Sequence, residues 1–264
     1  MKFGIECSKD IGQTMSEYDS NQERTSQYLE NFDRQRVLKC LVQNPSPALF
    51  DVGANMGQSL DEFISWWPTA SVFCFEPQKE CWDALEQAQL EHKNNNVRIV
   101  KNAIGNTTGE ELDFFTHDIS NGLSGFNKVN LESDDSIQIN KLDKSSNERF
   151  EYGQKFNHSR KVETLRLDDF MIREGIDHVD LLKIDTQGFE PEVLDGLGEF
   201  LSCVDVVLTE LMFYDYYERK LSFSDLEQFL IPAGFSLYDI NHISKNPMNG
   251  RTDWVDVIYV NERI

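Results

Sequence analysis

Short apolar runs alternate with amphipathic stretches along most of this chain, and that alternation leaves few folds open. Ala48 to Val52, Ser71 to Phe75 and Val97 to Val100 are too short for helices and are rich in β-branched or aromatic residues, so each reads as a strand. Between them, Gln58 to Trp67 and Lys79 to His92 carry apolar residues at helical spacing. Strand and helix in turn signal parallel βαβ units, with crossover helices covering both faces of one sheet. The pattern resumes with a strand at Val179 to Ile184, a helix after Pro191, a strand at Val204 to Leu208 and a helix over Phe223 to Leu230. Phe235 to Ile240 and Trp254 to Val260 have no helix-length segment between them, so they are expected to pair antiparallel at the sheet edge.

The length of 264 residues, 39% of them hydrophobic, suits one large core. Residues 1–47 read as a polar segment followed by a helix over Gln22 to Val42, packing on the core and ended by Pro45 and Pro47. Residues 48–264 then form the α/β domain. Inside it, Glu111 to Phe115 reads as an extra strand, and residues 127–160 are polar with almost no apolar period. That insertion is expected to be a long loop, serving as a lid or left disordered.

Charge narrows the partners. Forty-six acidic residues against 25 basic ones give a net charge of −21, and no basic cluster is interleaved with aromatics, so a nucleic acid is not an expected partner. The five cysteines, Cys7, Cys40, Cys74, Cys81 and Cys203, are scattered, show no zinc spacing, and suit a reducing compartment. No apolar signal-like run opens the chain and no run of 18 apolar residues occurs, so the expectation is a cytoplasmic protein with no membrane span.

The strongest chemical signal lies at Leu49 to Gln58, where an apolar strand ends in Asp51 and a turn containing Gly53, Asn55 and Gly57 opens a helix. Such a turn, at the carboxyl end of the first strand, is where an open α/β sheet binds a nucleotide-like ligand. The dinucleotide fingerprint requires Gly at its first, third and sixth positions, which here are Gly53, Asn55 and Gln58. The pattern therefore disfavours a pyrophosphate and still admits an adenosine without phosphate, unless the turn is purely structural. The next strand ends in Glu76, placed to accept hydrogen bonds from both hydroxyls of a ribose.

Further motifs follow in order: Phe75-Glu76-Pro77, Asn102-Ala103-Ile104-Gly105, Thr164 to Asp169, and Leu182-Lys183-Ile184-Asp185-Thr186-Gln187-Gly188-Phe189-Glu190. Together with the Gly-rich turn they resemble the FkbM family of methyltransferases from about Leu49 to Glu210. The resemblance implies a Rossmann-like class I methyltransferase fold, with a seven-stranded, mostly parallel sheet whose last strand is antiparallel, and S-adenosylmethionine as cofactor. It implies that Gly53, Asn55, Gly57 and Gln58 surround the methionine end, Glu76 meets the ribose, Asn102 with Ala103 meets the adenine, and Asp51, Ala54, Ser59, Pro77 and Asp185 also belong to the cofactor site. Where the family usually reads Val-Glu-Gly, this chain has Thr186-Gln187-Gly188, one carboxylate fewer beside the reaction site.

Asp185 ends an apolar strand at the edge where the transferred methyl should lie. It is expected to deprotonate the acceptor, to contact the methionine amino group, or to bind a divalent metal with Glu210, unless it only caps the next helix or pairs with Lys183. The expected case needs no metal, because alignment supplies much of the rate in an in-line displacement. Tyr214, in the aromatic run after Glu210, and His242, in the loop expected between the last two strands, are candidate acceptor contacts. Family habit makes the acceptor a hydroxyl of a glycan or secondary metabolite, and an oligomer is compatible with the sequence. A NAD-dependent sugar oxidoreductase or epimerase shares the strand, turn and acid, but the missing third glycine and the lack of a Tyr-x-x-x-Lys pair count against it. A non-catalytic cofactor-binding domain is the other alternative.

Overall fold

The computed structural model describes residues 21–93, 95–139 and 146–264. In chain order its elements are α1 (Asn21–Asn31), α2 (Arg34–Leu41), β1 (Ala48–Val52), α3 (Gln58–Trp66), β2 (Ser71–Phe75), α4 (Lys79–Glu91), β3 (Asn96–Val100), β4 (Ala103–Ile104), β5 (Glu111–Thr116), α5 (Asp134–Ile139), α6 (Ser146–Gly153), β6 (His158–Leu165), α7 (Leu167–Glu174), β7 (Val179–Ile184), α8 (Glu190–Asp195), β8 (Val204–Met212), α9 (Phe223–Leu230), β9 (Phe235–Lys245) and β10 (Thr252–Asn261).

Seven strands form one sheet in the order β3-β2-β1-β7-β8-β10-β9. Pairing is parallel from β3 to β8, and β10 lies antiparallel between β8 and β9. This is the class I methyltransferase topology that the resemblance implies. Strand order reverses between β1 and β7, so the carboxyl ends of these two strands open the crevice in which such sheets take ligands. The inner strands are buried on both faces, and successive side chains feed two cores. Phe50, Phe75, Leu182 and Val257 pack against Leu167 and Phe170 of α7 and against α8 and α9; Leu49, Val72, Leu181 and Ile258 pack against Leu38 of α2, Leu60 and Phe63 of α3 and Leu85 of α4.

The structure corrects several boundaries. The single helix expected over Gln22 to Val42 is two, because Asp33 adopts an extended conformation and its side chain accepts the Arg36 N–H at 2.8 Å, starting a new helix. Residues 127–160 are not one loop: they carry α5, α6 and the start of β6, which pairs with β4 and β5 in a second, three-stranded sheet. Val129, Phe156, Tyr216 and Tyr217 bury a small third core that fastens this region to the main domain. His242 lies inside β9 rather than in a loop, since that strand runs on to Lys245. Among the described residues no helix is long and apolar enough to cross a membrane. Cys74, Cys81 and Cys203 are free thiols, and Cys7 lies outside the described residues.

Candidate active site

The Gly-rich turn is shaped by close approach rather than by sequence habit. Gly53 has φ +86°, and a Cβ there would lie 2.0 Å from the carbonyl oxygen of Asp185, so the β1 turn and the end of β7 touch backbone to backbone. Asn55 and Gly57 also take positive φ, of 48° and 96°. The Gly53 and Ala54 N–H groups both donate to Phe75 O, at 3.0 and 3.1 Å, which ties the turn to the end of β2.

Glu76, at that end of β2, is buried with 2% exposure. Its carboxylate accepts from Asn55 N at 2.8 Å and Gln78 N at 2.7 Å, so it braces the turn while lining a cleft of about 570 Å³. Burial pushes its pKa up to about 7 against the pull of those two N–H groups. Gly53, Asn55, Glu76, Pro77, Ala103 and Asp185 line this cleft together with Asn121, Gly122, Ser124 to Phe126, Thr186 and Gln187. Asp51, Ala54, Gly57 and Asn102 are not in its lining. Asp51 is wholly buried beneath the turn and accepts from Lys183 Nζ at 3.1 Å, which makes it a support for the site.

Asp185 is also part of a second cleft of about 710 Å³, with Arg34, Gln58, Ser59, Glu62, Lys183, Glu210, Trp254 and Asp256. Its two oxygens are held from opposite sides: Oδ1 accepts from Gln187 Nε2 at 2.8 Å, and Oδ2 lies 3.5 Å from Lys183 Nζ. Gln187, at φ 56°, in turn accepts from the buried Tyr217 hydroxyl at 2.7 Å. The amide that replaces the family's usual acid thus donates to Asp185, where a second carboxylate would repel it. Burial would lower the Lys183 pKa, but the Asp51 and Asp185 carboxylates outweigh it and hold the ammonium charged. Asp51 is itself raised by burial, against the attraction of Lys183. Glu190 Oε1 accepts from Thr186 N at 3.0 Å, Thr186 Oγ1 at 3.1 Å and Gly188 N at 3.2 Å, fixing the loop that carries Gln187. Sequence reasoning offered Lys183 only as a partner for Asp185 and Tyr217 only as one of an aromatic run, and it gave Gln187 and Glu190 no role in the site. The only sequence signal for Lys183, Gln187 and Glu190 was their place in the Leu182 to Glu190 motif.

Glu210 sits at the rim shared by the second cleft and a smaller one that contains Tyr214. Burial first, then the Asp185, Asp256 and Glu190 charges, push its pKa up to about 9, so it is a neutral acid at pH 7. A carboxyl whose folded pKa exceeds its unfolded value loses stability as pH rises from about 4.5 toward 9. Glu210→Gln, which mimics the protonated form, should therefore raise stability at pH 7 by on the order of 2 kcal/mol. Thermal melts at pH 5 and pH 8 check this: the gain should be larger at pH 8, and equal gains would refute the assignment. His242 stacks on Trp254, with ring centroids 4.6 Å apart, one side chain removed from the second cleft. Among the described residues, the one group of three residues close enough to share a metal is His178, Asp180 and Asp205. It lies at the amino ends of β7 and β8, away from Asp185 and Glu210.

A family model described as the methyltransferase FkbM domain matches residues 51–237. The chain is 30% identical over 187 residues to the 2-O-methyltransferase NoeI of Sinorhizobium fredii, covering 70% of this chain and 72% of that protein. It is 27% identical over 165 residues to methyltransferase sdnD of Sordaria araneosa, covering 58% and 61%. A solved structure of a methyltransferase FkbM from Methylobacillus flagellatus KT superposes with TM-score 0.49 at 15% identity, over 82% of this chain and 44% of that one. This chain thus spans less than half the length of that protein.

Proposed function

Since the chain belongs to the FkbM methyltransferase family, we propose that it methylates a hydroxyl oxygen of a sugar or of a secondary metabolite, with S-adenosylmethionine as donor. The observation that carries this reading is Asp185, the residue that lines both the first and the second cleft. The first cleft suits an adenosine: a buried carboxylate for the ribose, a backbone turn open to close approach, and no second glycine for a pyrophosphate. The second is polar and suits an acceptor. Its carboxylates Glu62, Asp185 and Asp256 are acceptors for sugar-like hydroxyls and would repel a phosphate backbone, so the reading is a small molecule or glycan and not nucleic acid.

The cofactor, when bound, supplies an electrophilic methyl on a sulfonium. An acceptor hydroxyl seated in the second cleft would receive that methyl and give up its proton to a base of this chain. Asp185 is that base: Gln187 and Lys183 hold its carboxylate still between the two clefts. Lys183 keeps Asp51 and Asp185 paired through one ammonium. A divalent metal is no part of this reading. We place the reaction in the cytoplasm, where this cofactor is supplied.

Calorimetric titration tests the reading. The protein should bind S-adenosylhomocysteine, and not NAD, equally with and without magnesium. It should then transfer labelled methyl groups from S-adenosylmethionine to members of a panel of sugars. NAD binding alone would make it an oxidoreductase, and no binding at all would make it a retired fold.

A further inference from the structure

Tyr217, Gln187 and Asp185 form a chain of side-chain hydrogen bonds that runs from the small third core to the point where the two clefts meet. The Tyr217 hydroxyl donates to Gln187 Oε1 at 2.7 Å, and Gln187 Nε2 donates to Asp185 Oδ1 at 2.8 Å. The same hydroxyl lies 3.0 Å from a second acceptor, the carbonyl oxygen of Leu123. A hydroxyl has one proton to give, so it can serve only one of these two acceptors fully at a time. Building on the reading of Asp185 as the base, we infer that Tyr217 and Gln187 are positioning residues: they exchange their hydrogen bonds when Asp185 takes up the acceptor's proton, and so keep Asp185 bonded in both of its states.

The exchange balances. While Asp185 is ionised, Oδ1 needs a donor, which is Gln187 Nε2, and this leaves Oε1 to accept from Tyr217. Lys183 Nζ stands 3.5 Å from Oδ2, so a proton arriving there would face an ammonium, and Oδ1 is the oxygen that carries it. Asp185 then becomes a donor toward Gln187 and needs an acceptor. A half-turn of the amide supplies one. Oε1 accepts from the Asp185 O–H, Nε2 donates to the Tyr217 oxygen, and the Tyr217 proton swings to Leu123 O. The reverse turn restores the first arrangement when the proton leaves to water.

The frame permits that turn and holds the rest in place. The oxygen and nitrogen ends of an amide fill nearly the same space, so the half-turn needs no added room. The Gln187 carbonyl accepts from Asn127 Nδ2 at 3.1 Å, and Glu190 Oε1 holds the N–H groups of Thr186 and Gly188 on either side. Gln187 keeps φ 56°, which a residue other than glycine adopts where its surroundings impose it. Tyr217, 3% exposed, is bridged to Val129 and packs edge-on against Tyr216. Asp51, Lys183, Glu190, Glu210 and Asp256 also act on Asp185 by charge, from β1, β7, α8, β8 and β10, and Arg34 of α2 shares its second cleft. Among the described residues, only the Gln187 amide is hydrogen-bonded to Oδ1.

Methyl transfer by the full chain tests the relay, with S-adenosylmethionine and whichever sugar of the panel turns over fastest. Tyr217→Phe should lower kcat about tenfold and leave KM within about threefold, because the lost bond matters as the proton moves and not in binding. Gln187→Met should do the same. The double variant should be no slower than the slower single one, within about twofold, since both changes break one chain. Gln187→Glu, which has no donor when ionised, should lower kcat at least as far as Gln187→Met. A fold defect would add the two losses and so does not imitate a shared one. Losses that multiply in the double variant, or a Tyr217→Phe kcat within about twofold of the wild type, overturn the relay while leaving the methyltransferase reading intact; a wild type that transfers no methyl group to any sugar overturns both.

Discussion

Gly53→Ala should destabilise the protein by about 4 kcal/mol or prevent its soluble accumulation, the largest effect expected from adding one methyl group to this chain. Two penalties combine. The position has φ +86°, which an alanine adopts only with strain, and its Cβ would sit 2.0 Å from the Asp185 carbonyl oxygen. That oxygen belongs to backbone, so relief requires β1 and β7 to part at their carboxyl ends, where the Asp185 N–H donates to Val52 O at 2.9 Å. Gly109→Ala is the control, because its Cβ would meet nothing within 4 Å although its φ is also positive, at 78°. A Gly53→Ala protein that melts no lower than Gly109→Ala would show that the two strands are not in contact there.

Glu76→Ala should bind S-adenosylhomocysteine about 100-fold more weakly than the wild type at pH 8, through loss of two charge-assisted hydrogen bonds to the ribose, and should keep its fold. Undiminished affinity in the folded variant would sink the ribose assignment. The group's titration gives a second readout. Ribose hydroxyls donate to the ionised carboxylate, so binding favours loss of the Glu76 proton, and a pKa pushed up to about 7 places that loss in the working range. Affinity of the wild type should therefore fall as pH drops from 8 to 6, by up to about tenfold per unit below 7, and the fall should vanish in Glu76→Gln. For stability the sign is opposite. The folded state holds this proton more tightly than the unfolded chain does, so the contribution of Glu76 is lost as pH rises from about 4.5 through 7.

How much of this could be read beforehand depended on how local the causes were. β1, β2 and β7 are short apolar runs buried on both faces, and their ends carry Asp51, Glu76 and Asp185; run, acid and turn are contiguous, so those three acids were legible. The last two strands were legible as a pair because too few residues separate them for a helix, though β9 outran its expected end and took His242 with it. Other features have causes far away in sequence. Tyr217 meets Gln187 across 30 positions, and Lys183 meets Asp51 across 132. The polar insertion hid β6 because that strand pairs on a small side sheet, with its first six residues partly or largely solvated, and so lacks the alternation of a half-buried strand. Gln187 reads in sequence as the loss of an acid. Only its contacts show that the amide orients the acid that remains.

The antiparallel insertion of β10 between β8 and β9 bears on how the second cleft is put together. Reversing β10 brings its first half, with Trp254 and Asp256, to the same edge as the ends of the parallel strands. There Asp256 lies 3.8 Å from Arg34, which enters from α2 at the other end of the chain. The residues that line the first cleft end at Gln187, whereas the second also draws on Trp254 and Asp256, some seventy positions later. The second cleft therefore depends on an early helix and a late strand being brought together, which the first does not.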